Sequence, residues 1–325
     1  MILCTQSLSL IEAPSPRIEA LAVSCAMRAC LAKGKTVSLI TPDRTLARRV
    51  TSDLLRWDII PDDSAGVPLG RTPPGRVLLS VAEMLGRDVE TAEALAFLKN
   101  PLVASSAEGR GDHLRFTRDF ELWLRSGLPQ KFSAETFERW RNAADLSTDA
   151  DAWCTRMVHH FGAIAAHPLD TLRSHVSACI AFSATFCRGL AAEGSGALWD
   201  QENGRLAFQA MTEIIDALDG TTPCPPADAA RLLRWVFDAK NARQDIQSDP
   251  RVRILGTLEA RVNESDVTIL GGLNEGQWPQ SPKPDPWLNR SLRRDAGLLS
   301  PDRQIGLSAH DFQQAIAARE VVLSR

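Results

Sequence analysis

VRILGTLEARVNESDVTILGGLNEGQWP, residues Val252 to Pro279, decides how the chain is read. It holds two strand-like runs, VRILGT and DVTILGGL, with EARVNES between them. A third run, REVVLSR at Arg319 to Arg325, follows a helical stretch. Strand and helix therefore alternate over the last part of the chain.

Working outward, the same texture returns at the other end. Ser15 to Leu31 places Ile18, Leu21, Ala22, Cys25, Ala26, Ala29 and Cys30 at helical spacing, with Ser15 as cap and Pro16 in the first turn. Gly34 closes that helix, TVSLIT at Thr36–Thr41 reads as a buried parallel strand stopped by Pro42 and Asp43, and Thr45 to Trp57 reads as a second helix. Asp62 to Gly75 concentrates Gly, Pro, Asp and Ser and reads as loop.

Between these ends the periodicity is helical from Val77 to about Ala242, in blocks such as RFTRDFELWLRSGL, AWCTRMVHHFGAIAAH and AARLLRWVFDAKNAR. The tryptophans of this stretch (Trp123, Trp140, Trp153, Trp199, Trp235) fall at helical spacing and read as core. Each α/β end supplies too few strands for a sheet of its own, so the simplest packing joins residues 1–76 and 248–325 into one α/β domain interrupted by an α-helical domain at 77–247.

Composition narrows the function. The formal net charge of -3 lacks the basic excess of an autonomous nucleic-acid binder, so any DNA contact must be a local patch. Seven scattered cysteines with no CxxC pair suggest neither disulfides nor a metal site and fit a reducing cytoplasm. No apolar run is long enough to span a membrane, and Met1 to Leu10 lacks the features of a signal peptide.

The order of elements together with the Leu273-Asn274-Glu275-Gly276 turn resembles the second motor domain of UvrD-like superfamily 1 helicases, a RecA-like P-loop-type domain interrupted by a large all-α insertion. Ile254 to Pro279 is similar to the motif V region of that family. Gly256 to Arg261 (GTLEAR), TPDRTLARRV at Thr41–Val50, FLKNPL and AHDFQQAIAAREVVLSR are similar to its AddB branch, the inactivated-motor subunit of a bacterial double-strand-break repair helicase–nuclease.

The resemblance implies DNA as ligand, an AddA-type helicase–nuclease subunit as partner, and a role in DNA scanning and subunit assembly within a cytoplasmic DNA-recombination complex. It implies that the chain is the middle of such a subunit. The ATP and Mg²⁺ of the complex, and the iron–sulfur cluster of a nuclease domain, would lie outside it. Thr257 matches a position facing the DNA backbone, with Glu259 and Arg261 beside it, and Asn274 sits in a turn facing the DNA channel. Arg325 matches the motif VI arginine that reaches the nucleotide, and the motif IV arginine position falls at Ala47.

The residues also admit plainer readings. Glu259 and Arg261 can form a mutual or domain-bridging ion pair that fixes their loop. Asn274, Glu275 and Gly276 suit a turn on conformational grounds alone, and Arg325 can be a solvated end without partner. Arg290, Arg293, Arg294 and Arg303, with Trp287 nearby, form the one locally basic stretch beside an aromatic, either a single-strand binding element or a solvated helix face.

No phosphate loop ending in Lys-Ser/Thr occurs; GRTPPGRV at Gly70–Val77 copies only its glycine spacing, and two prolines remove donors a phosphate would need. His159 and His160 have no partner at metal spacing. The sequence thus predicts no catalytic residue, metal or cofactor in this chain itself; the resemblance implies that the whole complex would be an ATP-dependent helicase/exonuclease. The alternative is a protein-interaction scaffold with a RecA-like remnant.

Overall fold

The computed structural model describes residues 7–106, 109–127, 131–168, 170–189, 193–218, 223–242, 248–262, 264–279, 287–298 and 301–325. In chain order the first elements are β1 (Leu8–Ile11), α1 (Pro16–Ala32), β2 (Val37–Ile40), α2 (Arg44–Leu55) and β3 (Pro61–Asp63). Eight helices follow: α3 (Pro73–Met84), α4 (Thr91–Leu98), α5 (Arg110–Arg125), α6 (Ala134–Ala143), α7 (Thr148–Ala165), α8 (Leu172–Arg188), α9 (Glu202–Ala217) and α10 (Pro226–Ala239). Then come β4 (Asp249–Leu255), β5 (Val267–Leu270), α11 (Arg290–Asp295), α12 (Pro301–Ala315) and β6 (Val321–Ser324).

The chain divides into two compact units, one made of Met1–Ala65 with Ile246–Arg325, the other of Gly66–Asp245. The first is α/β. Its six strands form one sheet in the order β1-β6-β5-β2-β4-β3, and every pairing is parallel. Strands from the two ends of the chain are interleaved, so neither end holds the sheet alone. β1 and β3 occupy its edges and are the two strands the sequence does not announce.

Local chemistry sets the elements of this unit. Ser15 accepts a hydrogen bond from the Ile18 N–H at 3.4 Å and Pro16 opens α1, while Gly34 at φ +71° ends it. Asp43 accepts from the Thr45 N–H at 2.7 Å to start α2. β2 is buried at all four positions and paired on both sides, which is why it is apolar throughout rather than alternating. Burial of a Val, Leu or Ile side chain contributes about 1.5–3 kcal/mol each, enough to hold a four-residue strand that local propensity would not.

The two faces of the sheet carry separate cores. Val37, Leu39, Val252, Ile254, Val267 and Ile269 pack with α1 and α2. Ile40, Leu255, Leu270 and Val321 pack with Trp278 and with Phe312 of α12 on the other face.

The second unit is built around aromatic side chains of α4 to α8. Phe120 and Phe137 stack with centroids 4.5 Å apart, and Phe97 meets Phe186 edge-on at 4.9 Å. Trp140 and Trp153 are buried as the spacing predicts, but Trp235 on α10 is 70% exposed. Three two-residue antiparallel pairs tie its loops: Val67–Pro68 with Asn241–Ala242, Val89–Glu90 with Lys131–Phe132, and Asp170–Thr171 with Pro223–Cys224. The stretch read as loop from Asp62 to Gly75 in fact holds the end of β3, a short strand, a 3-10 turn at Leu69–Arg71 and the start of α3.

Candidate functional site

Because all six strands run the same way, their carboxyl ends share one edge, the usual ligand edge of an open parallel sheet. Thr257 lies just beyond β4, Asn274 just beyond β5 and Arg325 just beyond β6, so the sheet brings these three sequence-predicted residues to that edge. Backbone bonds continue the ladder there: Gly271 N–H donates to the Ile40 carbonyl at 3.0 Å, Thr41 N–H to Leu255 at 3.0 Å, and Leu273 N–H to Ser324 at 3.0 Å.

Thr257 opens the turn into a 3-10 segment, Glu259–Val262. Glu259 is exposed and its carboxylate folds back over Gly256, where an added β-carbon would lie 2.5 Å from Oε2. Arg261 does not pair with Glu259. Its Nε and Nη2 both donate to Oδ1 of Asp311 on α12, at 2.8 and 2.7 Å, and Asp311 is only 6% exposed. Of the ion pairs open to these residues, a mutual one or one reaching another part of the chain, Arg261 thus makes the second, with a partner 50 residues away that sequence spacing could not name.

The Asn274 side chain is exposed while its backbone makes the turn: its N–H donates to Gly272 at 2.8 Å and its carbonyl accepts from Gln277 at 3.0 Å. Gly272 and Gly276 sit at φ +75° and +76°, which accounts for both glycines. Arg325 is not a loose end. Its N–H donates to the Ile11 carbonyl at 3.1 Å, its carbonyl accepts from Ala13 at 2.8 Å, and its guanidinium pairs with Glu12.

Arg290, Arg293 and Arg294 ride on α11, a single exposed turn and a half that buries none of its residues and is capped by Asn289, whose Oδ1 accepts from Leu292 N–H at 2.9 Å. Trp287, just before it, is 86% exposed. Arg303 is exposed on α12.

Ala47, where the resemblance would put the motif IV arginine, is fully buried in the core against α1, so no side chain there reaches a ligand. The nearby Arg44 donates through Nη2 to Asp63 of β3 at 2.6 Å. Sequence reading also missed Glu19. It looks like an ordinary first-turn acid of α1, yet it is 3% exposed and its Oε1 accepts from Gly272 N–H at 2.9 Å and from the Ser324 hydroxyl at 3.0 Å.

In the second unit, GRTPPGRV folds as the 3-10 turn and first turn of α3. Gly75 N–H donates to the Thr72 hydroxyl at 3.3 Å, Arg76 N–H donates to the Thr72 carbonyl at 2.9 Å, and a β-carbon at Gly75 would strike the Leu69 carbonyl oxygen at 1.9 Å. Gly75 serves close packing, the Gly75 and Arg76 amides are spent on Thr72, and the two prolines have none to give, so these residues do not fit a nucleotide phosphate.

Three cysteines of this unit are packed as apolar core side chains. Cys154, Cys179 and Cys187 are buried, and desolvation pushes their thiols up to about 11, 12 and 12. Among the described residues no group of three or more His, Cys, Asp or Glu is placed to hold a metal ion, and no helix is long and apolar enough to cross a membrane. Comparison with protein-family models and with curated proteins finds no match.

Proposed function

We propose that this chain is the RecA-like second half, with its helical insertion, of an AddB-type subunit of a DNA double-strand-break repair helicase–nuclease. In this reading it is an inactivated motor portion that holds DNA and assembles with an AddA-type partner. The observation that carries it is Trp287, 86% exposed, leading into a helix with no buried residue that bears three arginines, Arg290 and Arg294 exposed and Arg293 half-buried. An aromatic face beside guanidinium groups is the composition that stacks bases and meets phosphates. The strand-end edge with Thr257 and Asn274 supports the same reading, since hydroxyl, amide and backbone N–H groups position a nucleic-acid backbone. ATP and Mg²⁺ belong, in this reading, to the partner motor.

A second reading rests on Trp235 of α10, 70% exposed, with Phe208 of α9 also exposed: such side chains suit a protein partner and make the chain a scaffold without DNA contact of its own. Fluorescence anisotropy of labelled single-stranded DNA separates the two. The DNA reading expects affinity that falls with salt, a slope in log Kd lower by about 1.4 when Arg293 and Arg294 are both changed to Ala, and weaker binding but unchanged slope for Trp287→Ala. Absence of binding at low salt gives the scaffold reading the lead.

A further inference from the structure

We propose that Glu19 is a positioning residue that holds the Asn274 turn and the Arg325 strand end in one fixed arrangement. Three hydrogen bonds close a ring: Gly272 N–H to Glu19 Oε1 at 2.9 Å, Leu273 N–H to the Ser324 carbonyl at 3.0 Å, and the Ser324 hydroxyl to Glu19 Oε1 at 3.0 Å. Gly272 lies two residues before Asn274, and Ser324 immediately before Arg325. One oxygen on α1 therefore fixes both strand ends from beneath.

The site leaves no substitute for it. Glu19 and Ser324 are 3% and 0% exposed, so water does not stand ready to take the Gly272 N–H or the Ser324 hydroxyl. At φ +75°, with the Thr41 hydroxyl 3.3 Å from where a β-carbon would be, Gly272 turns its N–H away from the ladder that its neighbours Gly271 and Leu273 continue. A carboxylate in the first turn of α1 also meets the favourable end of the helix dipole. As a source of stability the arrangement is poor, because desolvating a carboxylate offsets the hydrogen bonds it accepts. What it gains is geometry: strands β5 and β6 cannot shift at their ends without breaking a bond to α1.

The functional meaning rests on the DNA reading of this edge, and the test keeps the two apart. Amide hydrogen exchange is followed in the full chain at Gly272–Asn274 and Ser324–Arg325, with Val37–Ile40 of β2 as internal reference, alongside single-stranded DNA anisotropy. Glu19→Ala is expected to speed exchange at both strand ends by about tenfold, to leave β2 unchanged, and to weaken DNA binding. Glu19→Gln, which keeps the acceptor, restores both.

Equal acceleration of β2 and the strand ends in Glu19→Ala, or none at the strand ends, overturns the proposal, as does a locally loosened variant that binds DNA like the parent. If Glu19→Ala does not fold, Ser324→Ala takes its place: local loosening at Leu273 and Arg325 supports the ring, and unchanged exchange there overturns it. If the unaltered chain binds no DNA, the functional reading falls while the exchange pattern still decides whether Glu19 holds the two ends.

Discussion

Asp311 and Arg261 are unequal partners, the carboxylate 6% exposed and the guanidinium side chain 38% exposed. Their truncation costs should therefore differ. Arg261→Ala strands a desolvated carboxylate and is expected to cost about 2 kcal/mol. Asp311→Asn retains an acceptor and releases only a half-solvated cation, so it should cost clearly less. Urea denaturation of both variants and the double variant measures this, and equal costs would mean the pair is wet. At this scale the sequence was readable where a residue speaks through its own backbone: Gly34 and Gly276 are turn glycines as their contexts suggest, whereas Gly272, read within a strand run, also sits at positive φ. It was silent where the partner is remote. Glu19 with Ser324, and Arg261 with Asp311, span 305 and 50 residues.

The helices of the second unit carry desolvated histidines, His113 buried and His160 half-buried, and these set a pH dependence. His160 on α7 is pushed down to about 4, chiefly by desolvation and then by His159, Arg188 and Arg156. His113 on α5 is lowered by burial as well, against the opposing bond to the Leu98 carbonyl. Trp153 donates its indole N–H to His113 Nδ1 at 3.0 Å, so the ring's proton sits on Nε2, 2.8 Å from that carbonyl. Both rings take a proton less readily in the fold than in the unfolded chain, where they do so near 6.5. The unfolded state then binds more protons below that value, so stability is full above about 6.5 and falls as pH drops toward about 4. Urea midpoints at pH 7.5 and pH 5 should show the fall, and His160→Gln should flatten it; an unchanged slope in that variant would place the titration elsewhere. Among elements, legibility followed burial. β2, β4, β5 and β6 announce themselves because a strand packed on both faces must be apolar, and the helices α1 and α2 lie within a residue or two of their predicted bounds. β1 (LSLI) and β3 (PDD) do not, since an edge strand is defined by the neighbour it pairs with more than by its own composition.

At the scale of the whole chain, reading two strand-poor ends as one sheet depended on counting, and the interleaved order β1-β6-β5-β2-β4-β3 supplies the physical reason it works. β2 lies between β5 and β4, both from the far end of the sequence, so residues 1–65 alone would leave its two polar edges unpaired and its apolar faces half covered. The stretch Gly66–Asp245 is in the opposite position. Its core, from Leu69 to Ala242, is drawn entirely from its own residues, and its ends are joined by the Val67–Pro68 and Asn241–Ala242 pair and by the Leu69 N–H to Lys240 carbonyl bond at 2.7 Å. A unit with its own core and adjacent ends folds independently. The excised segment 66–245 is therefore expected to give a cooperative urea transition and a helical circular dichroism spectrum, and residues 1–65 alone to remain unfolded until residues 246–325 are supplied. A non-cooperative 66–245 would mean that its helices depend on the sheet-bearing unit, and folded structure in 1–65 would mean that β2 needs fewer neighbours than the parallel ladder gives it.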